Sequence, residues 1–188
     1  MKTRFTIFIV SLLILLPFGS KALAQKAYIT NVIVTPYRSY VYVYFNIEGC
    51  FTPKMEEAVK SGISTAFTFH VNLKRHRGTW FDSSIKNNTF KHIIKYDSLL
   101  ERYTIIKEEE GKKPIIVKDF EEAKLIMARV RNYPIFPFKA LKKGETYRLE
   151  IKGELDMVDI PKSLRYVLFI ISFWDFETEW YVKEFEYQ

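Results

Sequence analysis

The sequence predicts a mainly β protein with one or two helices: an antiparallel β-sandwich of about eight or nine strands with one helix packed against it. Three observations carry this expectation. Apolar and polar residues alternate over several strand-length segments, most cleanly where Phe67, Phe69, Val71 and Leu73 interleave with Thr68, His70, Asn72 and Lys74. Helical spacing recurs over a single long stretch, which begins at Asp119. Finally, Tyr166 to Phe173 is an apolar run with no polar face. Such a strand must be covered on both sides, which places the C-terminal hairpin, Arg165 to Gln188, near the centre of the layers.

The first residues stand apart from this domain. Lys2 and Arg4 precede an apolar run from Phe5 to Leu16, Pro17 and Gly19 break it, and Ala22-Leu23-Ala24 places small residues where a signal peptidase reads. Residues 1–24 are therefore expected to be a secretory signal cut after Ala24, its recognition positions Ala22 and Ala24. Residues 25–188 form a single β-rich globular domain, periplasmic or secreted. The alternative is an uncleaved anchor, which would be the chain's only membrane contact. Removing the segment takes away three of the 29 basic residues and no acid, leaving 26 against 22 and a net charge of +4. With signs interspersed, that balance gives no reason to expect nucleic acid as a partner. The single cysteine, Cys50, cannot form an internal disulfide, and free cysteine is usually buried.

In chain order, Tyr28 to Thr35 and Tyr40 to Ile47 read as an opening hairpin around Pro36 to Ser39. Its second strand turns Val41, Val43, Phe45 and Ile47 to one face and Tyr40, Tyr42, Tyr44 and Asn46 to the other. A short helix follows, with Thr52 as N-cap, Pro53 in the first turn and Gly62 past the end. After the strand at Phe67, Phe90 to Tyr96 and Arg102 to Lys107 form another hairpin. Glu108 to Lys113 reads as an exposed loop and Ile115 to Val117 as a short strand. The long helix opens with Asp119 and Glu122 as a capping box. It carries Phe120, Ala123, Ile126, Met127 and Val130 on one stripe, places Arg129 and Arg131 in its last turns and stops at Tyr133-Pro134. Strand Thr146 to Leu155 then turns Tyr147, Leu149, Ile151 and Leu155 inward. A loop from Asp156 to Ser163 leads to the final hairpin, whose turn is Trp174 to Thr178 and whose last strand is Glu179 to Tyr187.

The chemistry to be expected is sparse. His70, His76 and His92 lack the two- to four-residue spacings of a metal site, and no nucleophile elbow or phosphate-binding glycine loop is present, so no metal, cofactor or catalytic residue is assigned. Carboxylates with aromatics form the one suggestive grouping: Trp80 and Asp82, then Trp174, Asp175, Glu177, Trp180 and Tyr181. These are the candidate ligand or partner surface. Brought together, they suit a sugar site in which Asp82 works with Asp175 or Glu177. Read separately, they cap a sheet core.

Several segments together resemble an uncharacterised bacterial family, the domain of unknown function 4390. They are Phe69 to Asp82 (FHVNLKRHRGTWFD), Tyr96 to Tyr103 (YDSLLERY), Phe120 to Pro134 (FEEAKLIMARVRNYP), Leu141 to Tyr147 (LKKGETY) and Glu179 to Phe185 (EWYVKEF). Trp80, Phe81, Asp82, Arg131, Trp180 and Tyr181 are the matching positions, and Cys50 lies outside the pattern. The resemblance implies a signal-bearing envelope protein of mostly β structure, and it brings no catalytic residues. It points to an envelope or membrane sensor protein as partner. The expectation is thus a non-enzymatic secreted or periplasmic domain that binds a protein or envelope component. The alternatives are a carbohydrate-active hydrolase using Asp82 and an apolar-ligand carrier.

Overall fold

The computed structural model describes residues 26–77, 82–159 and 176–187, with the backbone alone at 157–159. Among them are nine strands and two helices. Strands β1 (Tyr28–Tyr37), β2 (Tyr40–Glu48) and β7 (Arg129–Pro137) form one sheet in the order β1-β2-β7. Six further strands form the second: β3 (Ser64–Arg75), β4 (Ser83–Asp97), β5 (Arg102–Lys107), β6 (Pro114–Val117), β8 (Glu145–Asp159) and β9 (Tyr181–Tyr187). Their order is β6-β5-β4-β3-β8-β9, and every pairing in both sheets is antiparallel. The two sheets pack face to face, as the alternation predicts.

Strand β3 is the centre of the molecule. Phe67, Phe69, Val71 and Leu73 are fully buried on its inner side, and both its edges are paired over most of its length. From the facing sheet, β2 presents Val41, Val43, Phe45 and Ile47, all buried. Phe45 meets Phe69 edge-on at 5.7 Å, and Tyr133 of β7 stacks on Phe90 of β4 at 4.1 Å. The sheets come close at Gly153 of β8, where a Cβ would stand 2.2 Å from Ile47 Cδ1. Glycine is what lets Ile47 descend onto the opposing sheet.

Helix α1 (Pro53–Lys60) is capped as the sequence demands: Thr52 accepts from the Met55 amide, and Gly62 follows at φ +85. Helix α2 (Phe120–Met127) also opens on its expected cap, with Asp119 accepting from the Glu122 amide at 2.7 Å.

The end of α2 corrects the sequence reading. The helix stops at Met127, and the stretch from Arg129 to the expected stop at Tyr133-Pro134, read as its last turns, belongs to strand β7 (Arg129–Pro137). Tertiary partners claim the carbonyls that would have marked the end of a longer helix. His92 bonds the Met127 carbonyl at 2.8 Å, the Ile47 amide donates to Ala128 at 2.9 Å, and Lys107 donates to Arg129 at 2.7 Å. Val130, Ile135 and Phe136 are then buried as inner residues of the third strand. Pro134 and Pro137 are tolerated because β7 is an edge. The helix-dipole role expected for Arg129 and Arg131 therefore does not arise.

The C-terminal expectations also change. Strand β9 begins at Tyr181 rather than Glu179 and lies at the edge of the six-stranded sheet, mostly exposed. Tyr166 to Phe173, the proposed partner strand, falls outside the described residues. Strand β8 runs on through Asp156 to Asp159, where a loop was expected, because Ser64 to Ala66 of β3 continue to pair with it. Nor is Glu108 to Lys113 wholly exposed: Glu108–Glu110 form one 3₁₀ turn that drives the Glu109 side chain into the core.

Candidate functional site

The candidate residues separate along β8. Asp82, just ahead of β4, accepts from Arg148 at 2.7 Å and pairs with His76 Nδ1 at 3.0 Å. Arg148 in turn donates twice to Glu184 of β9, at 2.7 and 2.9 Å. Desolvation pulls the Asp82 pKa upward, but the His76 hydrogen bond and the Arg148 charge outweigh it and hold the carboxyl below its ordinary value. A proton donor for glycosidic chemistry needs the opposite shift.

Glu177 sits well along the same strand. Its backbone bridges Glu154, and its carboxylate is taken by Lys152. Six residues of β8 separate Arg148 from Glu154, roughly 20 Å at about 3.3 Å per residue. Carboxyl pairs in glycoside hydrolysis stand about 5–9.5 Å apart. Asp82 and Glu177 are thus not brought together, and each already has its cation. Trp80, Trp174 and Asp175 lie outside the described residues, as do Ala22 and Ala24.

Trp180 and Tyr181 do meet a concave surface. With Tyr28 and Ile29 of β1, and with Lys26 and Glu179, they line a cleft of about 300 Å³ between the starts of β1 and β9. Lys26 and Glu179 close one side with a 2.5 Å ion pair in which both side chains stay exposed. Trp180 keeps 43% of its surface in solvent, its ring approached by Lys152 at 5.7 Å and His70 at 6.3 Å. His70 is half-buried and bonds Glu154 at 2.9 Å. An aromatic face flanked by a cation and carboxylates suits stacking and hydrogen bonding with a ligand or partner.

Sequence spacing gave no hint of the buried pair His92 and Glu109. Their side chains are 0% and 1% exposed and meet at 2.6 Å. Since the Met127 carbonyl only accepts, His92 Nδ1 carries hydrogen, and the pair is net neutral whichever partner holds the proton between them. The second Glu109 oxygen has no partner among the described residues. The pair ties the 3₁₀ turn and the end of α2 to β4. The alternation around Phe90 and Ile94 does place His92 on the inner face, and that was its one available signal.

Cys50 is buried, with Sγ 3.5 Å from the Ile47 carbonyl. Burial pushes its thiol up to about 12, which removes it as a nucleophile. Among the described residues no group of three or more His, Cys, Asp and Glu side chains is placed to hold a metal ion, and no helix is long and apolar enough to cross a membrane. A second cleft, of about 240 Å³, runs along Val34, Val41, Phe138, Leu141 and Phe185, smaller than the roughly 300–1,000 Å³ of ordinary ligand pockets.

No curated protein and no solved structure matches the chain. A family model does: the one described as Domain of unknown function (DUF4390) matches residues 24–184, and the chain belongs to that family.

Proposed function

We propose that this member of the family is a non-enzymatic domain, exported to the periplasm or secreted, that binds a protein or other envelope component through the cleft at Trp180 and Tyr181. The supporting observation is the contrast within the candidate set. Asp82 and Glu177, the two described carboxylates offered for catalysis, are each paired with a cation and lie far apart, while Trp180 remains exposed beside Tyr28 in a cleft. Large aromatic rings left in solvent at a concave site supply contact area at low entropic cost, the usual chemistry of a binding anchor. An envelope or membrane sensor protein is the partner class proposed.

A photo-crosslinking residue at Trp180, introduced into the full chain in native cells, tests this reading. An adduct with one envelope component that disappears when Tyr28 and Tyr181 are replaced by Ala is the expected result. Absence of any adduct, together with measured turnover of a substrate, would overturn it. Export has its own readout: the mature chain should begin at Gln25, and an intact Met1 would refute cleavage after Ala24.

A further inference from the structure

The outer face of the three-stranded sheet lies beyond the surface proposed above. Tyr40, Tyr42, Tyr44 and Asn46 of β2 point outward, because the alternate residues Val41 to Ile47 are buried. Across the ladder, Tyr37 faces Tyr40, Thr35 faces Tyr42 and Ile33 faces Tyr44 on β1, while Pro137 and Pro134 face Tyr40 and Tyr42 on β7. Tyr37 and Ile33 are each 58% exposed and Tyr40 is 44%. These rings touch one another and their neighbours. Tyr37 and Tyr42 meet edge-on at 6.1 Å, Arg38 lies over Tyr37 at 5.3 Å, and the Tyr44 hydroxyl bonds Asn132.

Charge on this sheet is one-sided. Its strands and turn carry Arg38, Arg129 and Arg131 against one acid, Glu48, which lines a small cleft with Arg129 at the end of β2 without pairing to it. Among the described residues no carboxylate pairs with any of the three arginines, although Lys74, Lys91, Arg148 and Lys152 on the other sheet are all paired. Arg129 and Arg131 also line a cleft of about 320 Å³ beside α2, floored by Leu125 and Ile126. That cleft includes Lys107, Glu110 and Glu122, and Glu110 is already held by Lys107.

From this arrangement we infer that the outer face of the three-stranded sheet docks an acidic segment of a partner protein, its carboxylates received by Arg38, Arg129 and Arg131 and its backbone laid across the tyrosines. Guanidinium matches carboxylate as a two-pronged donor, and tyrosine with arginine is the pair enriched at protein interfaces. A membrane surface is the poorer fit. Lipid-binding faces insert Trp, Phe and Leu, and here Ile33 is the one strongly exposed aliphatic among the paired outward residues.

A synthetic hexaglutamate peptide added to the isotope-labelled mature protein provides the test, read by amide chemical shifts. Shifts confined to β2, β7 and Arg38, weakening about tenfold in the R38E/R131E double variant and again between about 0.05 and 0.5 M salt, are expected. Trp180→Ala should leave them unchanged, which separates this surface from the Trp180 cleft. Thermal melting of the double variant checks that it is folded. Shifts on the outer face of β3 and β8, no shifts at all, or phosphatidylglycerol vesicles binding at β2 where the peptide does not would each overturn the inference.

Discussion

On the outer face of the six-stranded sheet, Lys74 meets Glu150, Lys91 meets Asp156, Arg148 meets Asp82 and Glu184, and Lys152 meets Glu177. On the outer face of the three-stranded sheet, tyrosines stand where those acids would be, and Arg38, Arg129 and Arg131 pair with no described carboxylate. Inner faces of the two sheets are alike, built from the same alternation of Val, Ile and Phe. Apart from the buried His92 and Lys107 of the larger sheet, the difference lies in the outward residues. One face pairs most of its cations along β3, β8 and β9, with Lys95 and Arg102 left without a described carboxylate; the other pairs none of its three guanidinium groups and sets them beside a row of tyrosines. Protein-wide net charge would not have separated them.

The two faces are joined through the core, and the largest effect should come from cutting that joint. His92 and Lys107 on the large sheet hold the Met127 and Arg129 carbonyls, the points from which β7 and its arginines are suspended. Glu109→Ala leaves one ring nitrogen of fully buried His92 without its partner, at a cost of about 1–3 kcal/mol, to which the cavity left by the carboxylate adds. Denaturant unfolding measures it. A loss below about 1 kcal/mol would mean that the arginine-bearing strand is held by other contacts. Gly153→Ala attacks the second joint, where an added methyl collides with Ile47. Overpacking of this kind costs about 1–3 kcal/mol, and Ile47→Val in the same chain should recover part of it, since it shortens the offending side chain.

These joints mark where the sequence stops being legible. Alternation along β2, β3 and β8 revealed the inner residues because burial acts on each strand locally. The helix end at Met127 was not legible, since the partners that claim its carbonyls come from β2, β4 and β5, far away in the chain. His92 with Glu109 was hidden for the same reason: a separation of 17 residues gives no local pattern. Of the candidate surface, Trp180 and Tyr181 do share a cleft, while Asp82 and Glu177 were linked only by composition and sit at different points of β8. Tyr40, Tyr42 and Tyr44 were visible as an outward stripe. What gave that stripe meaning, the lack of a carboxylate paired with Arg129 or Arg131 among the described residues although Glu110 and Glu122 line the same cleft, depended on reading those two residues as strand.

The ion-paired face should reveal itself by acid titration. Asp82 has a folded-state pKa below its ordinary value, so its contribution is fully present above the unfolded value and is lost as pH falls through the folded one. Asp82→Asn should therefore melt below the parent at neutral pH, with the gap closing below about pH 4. A gap that persisted at pH 2 would show that Asp82 acts through packing rather than charge.

The smallest effect is the most telling for the comparison. Lys74→Ala removes a half-buried pair on the ion-paired face and should cost about 0.2–1 kcal/mol. Arg38→Ala and Arg131→Ala remove exposed cations that hold no described carboxylate, so Arg131→Ala should change stability by no more than about 0.5 kcal/mol and Arg38→Ala by no more than about 1 kcal/mol. Arg38 is the sterner case, because its contact with the Tyr37 ring is its one described interaction, and an exposed cation–π contact contributes about 0.5–1 kcal/mol at most. Equal losses on the two faces would mean that the arginines support the fold as the ladder does. Losses confined to the ladder would mean that Arg38 and Arg131 are not required for folding, which is the condition under which residues on a protein surface are free to serve a partner.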